Sequence, residues 1–140
     1  MGNLVGPTLD KISAKPLTSK IMATDVAIDP EAIENLRLLN PDDENAFLKE
    51  IVDIFLEDTP ERIAELKQCL AKFDQPTFTR AAHSIKGSAS NLGATRVRSI
   101  AEKLEHQSRN SGLVGLDQLL SSLDEEFAVA KAELQKIVAG

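Results

Sequence analysis

The feature that most constrains this 140-residue chain is a series of apolar stripes recurring every three to four positions, separated by short breaks rich in Gly, Pro, Ser and Asn. The last stripe is the most regular. Leu116, Leu120, Leu123, Phe127, Ala130, Leu134 and Ile137 align on one face of a helix running to the C-terminus. Before it, Val97, Ile100, Ala101 and Leu104 mark a helix that stops at Ser111-Gly112. Another runs from the Asp74-Gln75-Pro76 break to about Leu92, with Gly93 placed as a left-handed terminator. Upstream, Phe47, Leu48, Ile51, Ile54 and Phe55 open a long helix from about Asp43, and its stripe resumes through Ile63, Leu66 and Leu70. Pro60, after a cap-like Thr59, is expected to bend this helix rather than divide it. A short helix comes first, capped by Asp29, opened by Pro30, carrying Ile33, Leu36 and Leu39 on one face and stopped by Asn40-Pro41.

Short connections between long amphipathic helices force neighbours to run antiparallel. The expected fold is therefore all-α, an antiparallel up-down four-helix bundle with a short extra N-terminal helix, occupying residues 29–140. Aromatic residues make up 4% of the chain, so the core must be built from Leu, Ile, Val and Ala, as helix bundles are. Residues 1–28 show no sustained periodicity and read as a flexible N-terminal arm, within which Met22 is an alternative start.

Charge and composition exclude several functions. A net charge of −6 disfavours a phosphate-backbone binder, which needs cations to displace counterions, so no nucleic-acid partner is expected. One cysteine, Cys69, rules out an internal disulfide, and there is neither a signal-like start nor an apolar run of bilayer length. The expectation is a cytoplasmic monomer with no membrane partner.

On the third long helix, Phe78, Ala81, Ala82, Ile85, Ala89 and Leu92 gather in one sector that must face the core. His83 lies nearly opposite. Within roughly 60° of it are Thr79, Arg80, Lys86, Gly87 and Ser90. A helix-interior glycine costs roughly 1 kcal/mol relative to alanine, and Gly87 faces outward, where close core packing cannot explain it. Space beside His83 is therefore being kept. Lys86, one turn on, would attract an anionic group placed on the imidazole.

The alternatives are poorly supported. The positions four before and four after His83 are Thr79 and Gly87, and His106 stands on another helix, so no metal-ligand spacing exists. No Asp–His pairing or nucleophile elbow is legible for a serine hydrolase, and His106 beside Glu105 reads as a solvated surface residue. The Lys86-Gly87-Ser88 order reverses that of a P-loop, and no strand precedes it.

The run His83-Ser84-Ile85-Lys86-Gly87, continued to Leu92 and Gly93, resembles the H-x-x-K-G-x-x-x-x-x-G signature of histidine phosphotransfer (HPt) domains, and FLEDTPERIAELKQCL resembles the family's preceding helix. The resemblance covers residues 29 to 138. It implies that His83 accepts the phosphoryl group, Lys86 stabilises it, Gly87 leaves room for the partner and Gly93 shapes the helix end. Thr79, Arg80, Gly87 and Ser90 would form the docking surface. It also implies a phosphoryl carrier without kinase or phosphatase activity, shuttling between receiver-domain aspartates, as of a hybrid sensor kinase and a downstream regulator. Mg²⁺ would belong to the receiver, and this chain would need no cofactor or metal of its own. Two other functions fit an outward histidine on a bundle: a helical docking module without phosphotransfer, and a phosphorylated input domain of a larger histidine kinase.

Overall fold

A computed structural model describes residues 26–39 and 45–139. Among the described residues five helices follow one another, α1 (Pro30–Leu39), α2 (Ala46–Lys72), α3 (Gln75–Leu92), α4 (Thr95–Ser111) and α5 (Asp117–Ala139). Each of the long helices packs on the next, and α2 also packs on α5, which closes a four-helix bundle; α1 leans on α2 and α3. With only Phe73-Asp74 and Gly93-Ala94 between them, α2, α3 and α4 must reverse direction at each turn. The up-down topology expected from the connections is the one observed.

Local chemistry sets the ends of α3, the helix that carries His83. Asp74 caps it, its Oδ1 accepting the Thr77 N–H at 3.4 Å, and Pro76 sits in the first turn, where a missing donor costs nothing. Gly93, at φ 69°, ends it in the left-handed conformation, and the N–H of Ala94 returns to the Ala89 carbonyl at 2.9 Å. The six residues assigned to the core sector of α3, Phe78, Ala81, Ala82, Ile85, Ala89 and Leu92, are its buried ones. The core they join is aliphatic apart from Cys69, Phe78 and the tilted Phe55–Phe127 pair, with ring centroids 5.6 Å apart, which locks α2 against α5.

Pro60 lies inside α2, which is one continuous helix. The expectation that it does not divide the segment holds. One boundary and two side chains differ from the sequence reading. Residues 26–28, assigned to the arm, belong to the folded body: Ile28 is buried in the core and the Val26 carbonyl accepts the Thr95 hydroxyl. Residues 1–25 of that arm, and the Asn40-Pro41 stop, lie outside the described residues. The start of the long helix near Asp43 does too; within the described residues α2 begins at Ala46 behind a left-handed Asn45 whose side chain caps nothing and instead accepts from Arg37 at 3.0 Å. Ile54 and Leu39, both assigned to apolar stripes, are 55% and 70% exposed. Ile54 sits on the edge of its stripe, turned out between helices, and Leu39 is the last residue of α1.

Gly93 has a second function besides ending α3. A Cβ there would stand 2.7 Å from the Ala32 Cβ and 3.0 Å from that of Asp29. The close approach lets the Gly93 carbonyl accept the Asp29 N–H at 2.8 Å, tying the start of α1 to the α3–α4 turn. Gly93→Ala is predicted to cost about 2–4 kcal/mol, combining left-handed strain with overpacking. Urea unfolding measures it; a variant as stable as the wild type would contradict the close-packing account.

Candidate functional site

The seam between α3 and α4 is a ladder of polar contacts between antiparallel helices. From one end, Gln75 Nε2 donates to the Ser108 carbonyl, the Thr79 and Ser108 hydroxyls meet at 2.7 Å, His83 and Lys86 both reach Glu105, and Arg98 Nε donates to Ser90 Oγ at 3.0 Å. These rungs fix the rotation of α3 about its axis. They hold His83 at the rim of the seam, with 64% of its side chain exposed.

Glu105 is the centre of the ladder. Only 3% of it is exposed, and a buried carboxylate is tolerated only when its charge is answered. Three groups answer it. Lys86 Nζ lies 2.8 Å from Oε1, Arg109 Nη2 donates to Oε2 at 2.6 Å, and His83 Nδ1 stands 2.9 Å from the same Oε2. Burial alone would push the Glu105 carboxyl up, but Lys86, Arg109 and His83 outweigh it and hold the group down at about 2. It is therefore an acceptor only, so the Nδ1 of His83 carries the proton and donates. In the neutral ring the bare nitrogen is then Nε2, on the other side and turned away from the carboxylate.

The other residues picked from the sequence are placed unevenly. Gly87 is exposed, and a Cβ added to it would meet nothing within 4 Å, so the surface there is open. Lys86 is 26% exposed and already ion-paired with Glu105. Arg80 is exposed and donates to Thr77 Oγ1 of its own helix at 3.4 Å. Ser90 is exposed and held by Arg98. Thr79 is half-buried with its hydroxyl committed to Ser108, so it braces the seam rather than offering a free docking surface. On the opposite flank of α3, Ser88, Asn91 and Leu92 form with Ile51, Ile54, Phe55 and Asp58 of α2 a groove of about 130 Å³. The exposed Ile54 is the apolar element of that face.

Glu105 and Arg109 were missed as site residues, and the pairing thought illegible is a Glu–His one. One signal pointed to it. Val97, Ala101, Glu105 and Ser108 follow helical spacing along the buried face of α4, which puts an acid in a core register. His106, its neighbour, is exposed, and its hydrogen-bond partner is Asn110 at 3.4 Å. Among the described residues no group of three or more His, Cys, Asp and Glu could hold a metal ion, and no helix is long and apolar enough to cross a membrane.

Comparison with known proteins agrees with the bundle. Residues 50–137, more than half of the chain, match the Hpt domain family, and the chain belongs to it. It is 29% identical over 102 residues to multistep phosphorelay regulator 1 of Schizosaccharomyces pombe, a match covering 73% of this chain and 34% of that protein. Against histidine-containing phosphotransfer protein 2 of Arabidopsis thaliana it is 26% identical over 103 residues, 71% of this chain and 66% of the relative. The chain thus spans about a third and about two thirds of these relatives. Among solved structures, histidine-containing phosphotransfer protein B of Pseudomonas aeruginosa superposes with a TM-score of 0.72 at 25% identity, covering 80% of this chain and 94% of the other. A histidine-containing phosphotransfer protein from maize shares the fold at a TM-score of 0.72 and 21% identity, over 86% and 91% of the two chains.

The depressed Glu105 carboxyl predicts a pH dependence of stability. Its folded-state value, about 2, lies below the ordinary 4.5, so its contribution to stability is complete above the unfolded value and is lost as pH falls from about 4.5 through about 2. Urea midpoints measured across that window should fall more steeply for the wild type than for Glu105→Gln. Equal acid slopes would contradict the charge pairing.

Proposed function

We propose that this chain is a phosphoryl carrier of a phosphorelay: His83 accepts a phosphoryl group on Nε2 from the aspartyl phosphate of a receiver domain and passes it to the aspartate of another. The observation that carries the proposal is the hydrogen bond from His83 Nδ1 to the buried Glu105 carboxylate, which leaves a bare, outward Nε2 on an exposed ring. A neutral imidazole nitrogen with a free lone pair is a competent nucleophile near neutral pH. Membership of the Hpt family and the names of the relatives support the same reading.

The chemistry asks little of the chain beyond position. In acceptance the bond from phosphorus to the aspartyl oxygen breaks, its electron pair returning to that carboxylate, and the Nε2 lone pair forms the new bond to phosphorus. The Nδ1 proton stays on the ring, still donated to the Glu105 carboxylate, which answers the positive charge of the phosphorylated imidazole. In donation the same steps run backwards and the ring leaves as a neutral imidazole. Phosphoryl transfer is largely positioning and charge stabilisation, and an exposed nucleophile lets the receiver bring the acyl phosphate, together with its own Mg²⁺, in line. Such a chain needs no kinase or phosphatase activity and acts in the cytoplasm, where hybrid sensor kinases and downstream regulators present their receivers. Arg80, Gly87 and Ser90, with Ile54 on α2, form the exposed surface that docks the receiver, while Thr79 supports it from the seam.

Two substitutions test the assignment. His83→Gln should abolish acid-labile, base-stable phosphate on mixing with a phosphorylated receiver while leaving the melting temperature within about 2 °C; a labelled His83→Gln chain would reject His83 as acceptor. Gly87→Ala should stabilise the helix by up to about 1 kcal/mol, since no neighbour obstructs a Cβ. Gly87→Arg should fold equally well but transfer at least tenfold more slowly, because its side chain fills the space the receiver enters. Undiminished transfer by Gly87→Arg would remove partner access as the reason for the glycine.

A further inference from the structure

The ion pair between Lys86 and Glu105 raises a conflict for the residue expected to steady the phosphoryl group. Lys86 Nζ rests 2.8 Å from Glu105 Oε1, on the inner side of the histidine ring, whereas a phosphoryl group on Nε2 stands on the outer side, since Nδ1 faces Glu105. The two anions compete for the one ammonium. The side chain starts one helical turn from His83 and is long enough to reach either anion. Arg109 resolves the cost of moving it. It donates to Oε2 at 2.6 Å from the next turn of α4, so Glu105 keeps a cationic partner and the His83 N–H even when Lys86 leaves.

We propose that Lys86 is an exchangeable cation, parked on Glu105 in the resting protein and transferred to the phosphoryl oxygens when His83 is loaded. Glu105 is then a positioning residue that competes with the phosphoryl group for Lys86 and thereby limits how long the group is held. Arg109 is the fixed partner that allows the exchange without stranding a buried carboxylate. This rests on His83 being the acceptor. It adds a reason for a carboxylate, rather than an uncharged acceptor, behind the histidine: an amide could still accept the Nδ1 proton but could not hold back the lysine. A carrier has to release as well as capture, and competition of this kind weakens the grip on the loaded form.

The test is a double-mutant cycle on phosphoryl lifetime. The wild type, Glu105→Gln, Lys86→Ala and the double variant are loaded with phosphoramidate, which gives its phosphoryl group to imidazole and releases ammonia. The donor is removed and loss of phosphohistidine is followed by ³¹P NMR at neutral pH. Glu105→Gln should lengthen the half-life about fivefold, the weight of an ion pair of roughly 1 kcal/mol, when Lys86 is present, and leave it unchanged in the Lys86→Ala background. No lengthening, or equal lengthening in both backgrounds, overturns the exchange. Should Glu105→Gln not fold, the wild type alone decides: the Lys86 side-chain ¹⁵N signal moves on loading if the cation changes partner, and an unmoved signal overturns the proposal. Failure of the wild type to load at His83 would instead remove the acceptor reading, and the exchange with it.

Discussion

A single buried carboxylate organises the functional face of this bundle. Glu105 sits almost fully buried at the α3–α4 seam, where an isolated charge would cost several kcal/mol, and it is tolerated because Lys86, Arg109 and His83 converge on it. Satisfying that charge dictates much else. It fixes the rotation of α3 and the tautomer of His83, and it draws Lys86 inward. The bundle supplies the rigid scaffold, and the seam turns an ordinary helical histidine into an oriented one.

The way α3 is held explains why the orientation can be reliable. Its two ends are set by a capping aspartate and a left-handed glycine, and its inner face is closed by six buried side chains. Neither end depends on the histidine. Phosphoryl transfer at His83, as proposed, would therefore take place on the outer face without asking the core to repack, and the surface over Gly87 is open.

Helical periodicity made the fold legible, because a stripe of apolar residues specifies which face is buried irrespective of what it packs against. The core sector of α3, its glycine terminator and the continuity of α2 through Pro60 all follow from local rules. The outward placement of His83 and Gly87 followed by subtraction from that sector. Contacts across helices obey no such rule. Glu105 is 22 residues from His83 in sequence, and its pairing depends on the register of two helices that no periodicity states. Thr79 was misread for the same reason, since a hydroxyl near the rim can face solvent or a neighbour, and here Ser108 takes it. Ile54 shows the converse error, an apolar residue at the margin of a stripe that the neighbouring helices leave uncovered.

The central claim is that Glu105 holds the His83 proton on Nδ1 and leaves Nε2 bare. Long-range ¹H–¹⁵N correlation of the imidazole reports this directly, because protonated and bare ring nitrogens resonate far apart. On the neutral side of its titration, His83 should show a protonated Nδ1 and an unprotonated Nε2 in the wild type, with that preference lost in Glu105→Ala. A wild-type ring carrying its proton on Nε2, or one whose tautomer is unaffected by removing the carboxylate, would contradict the account.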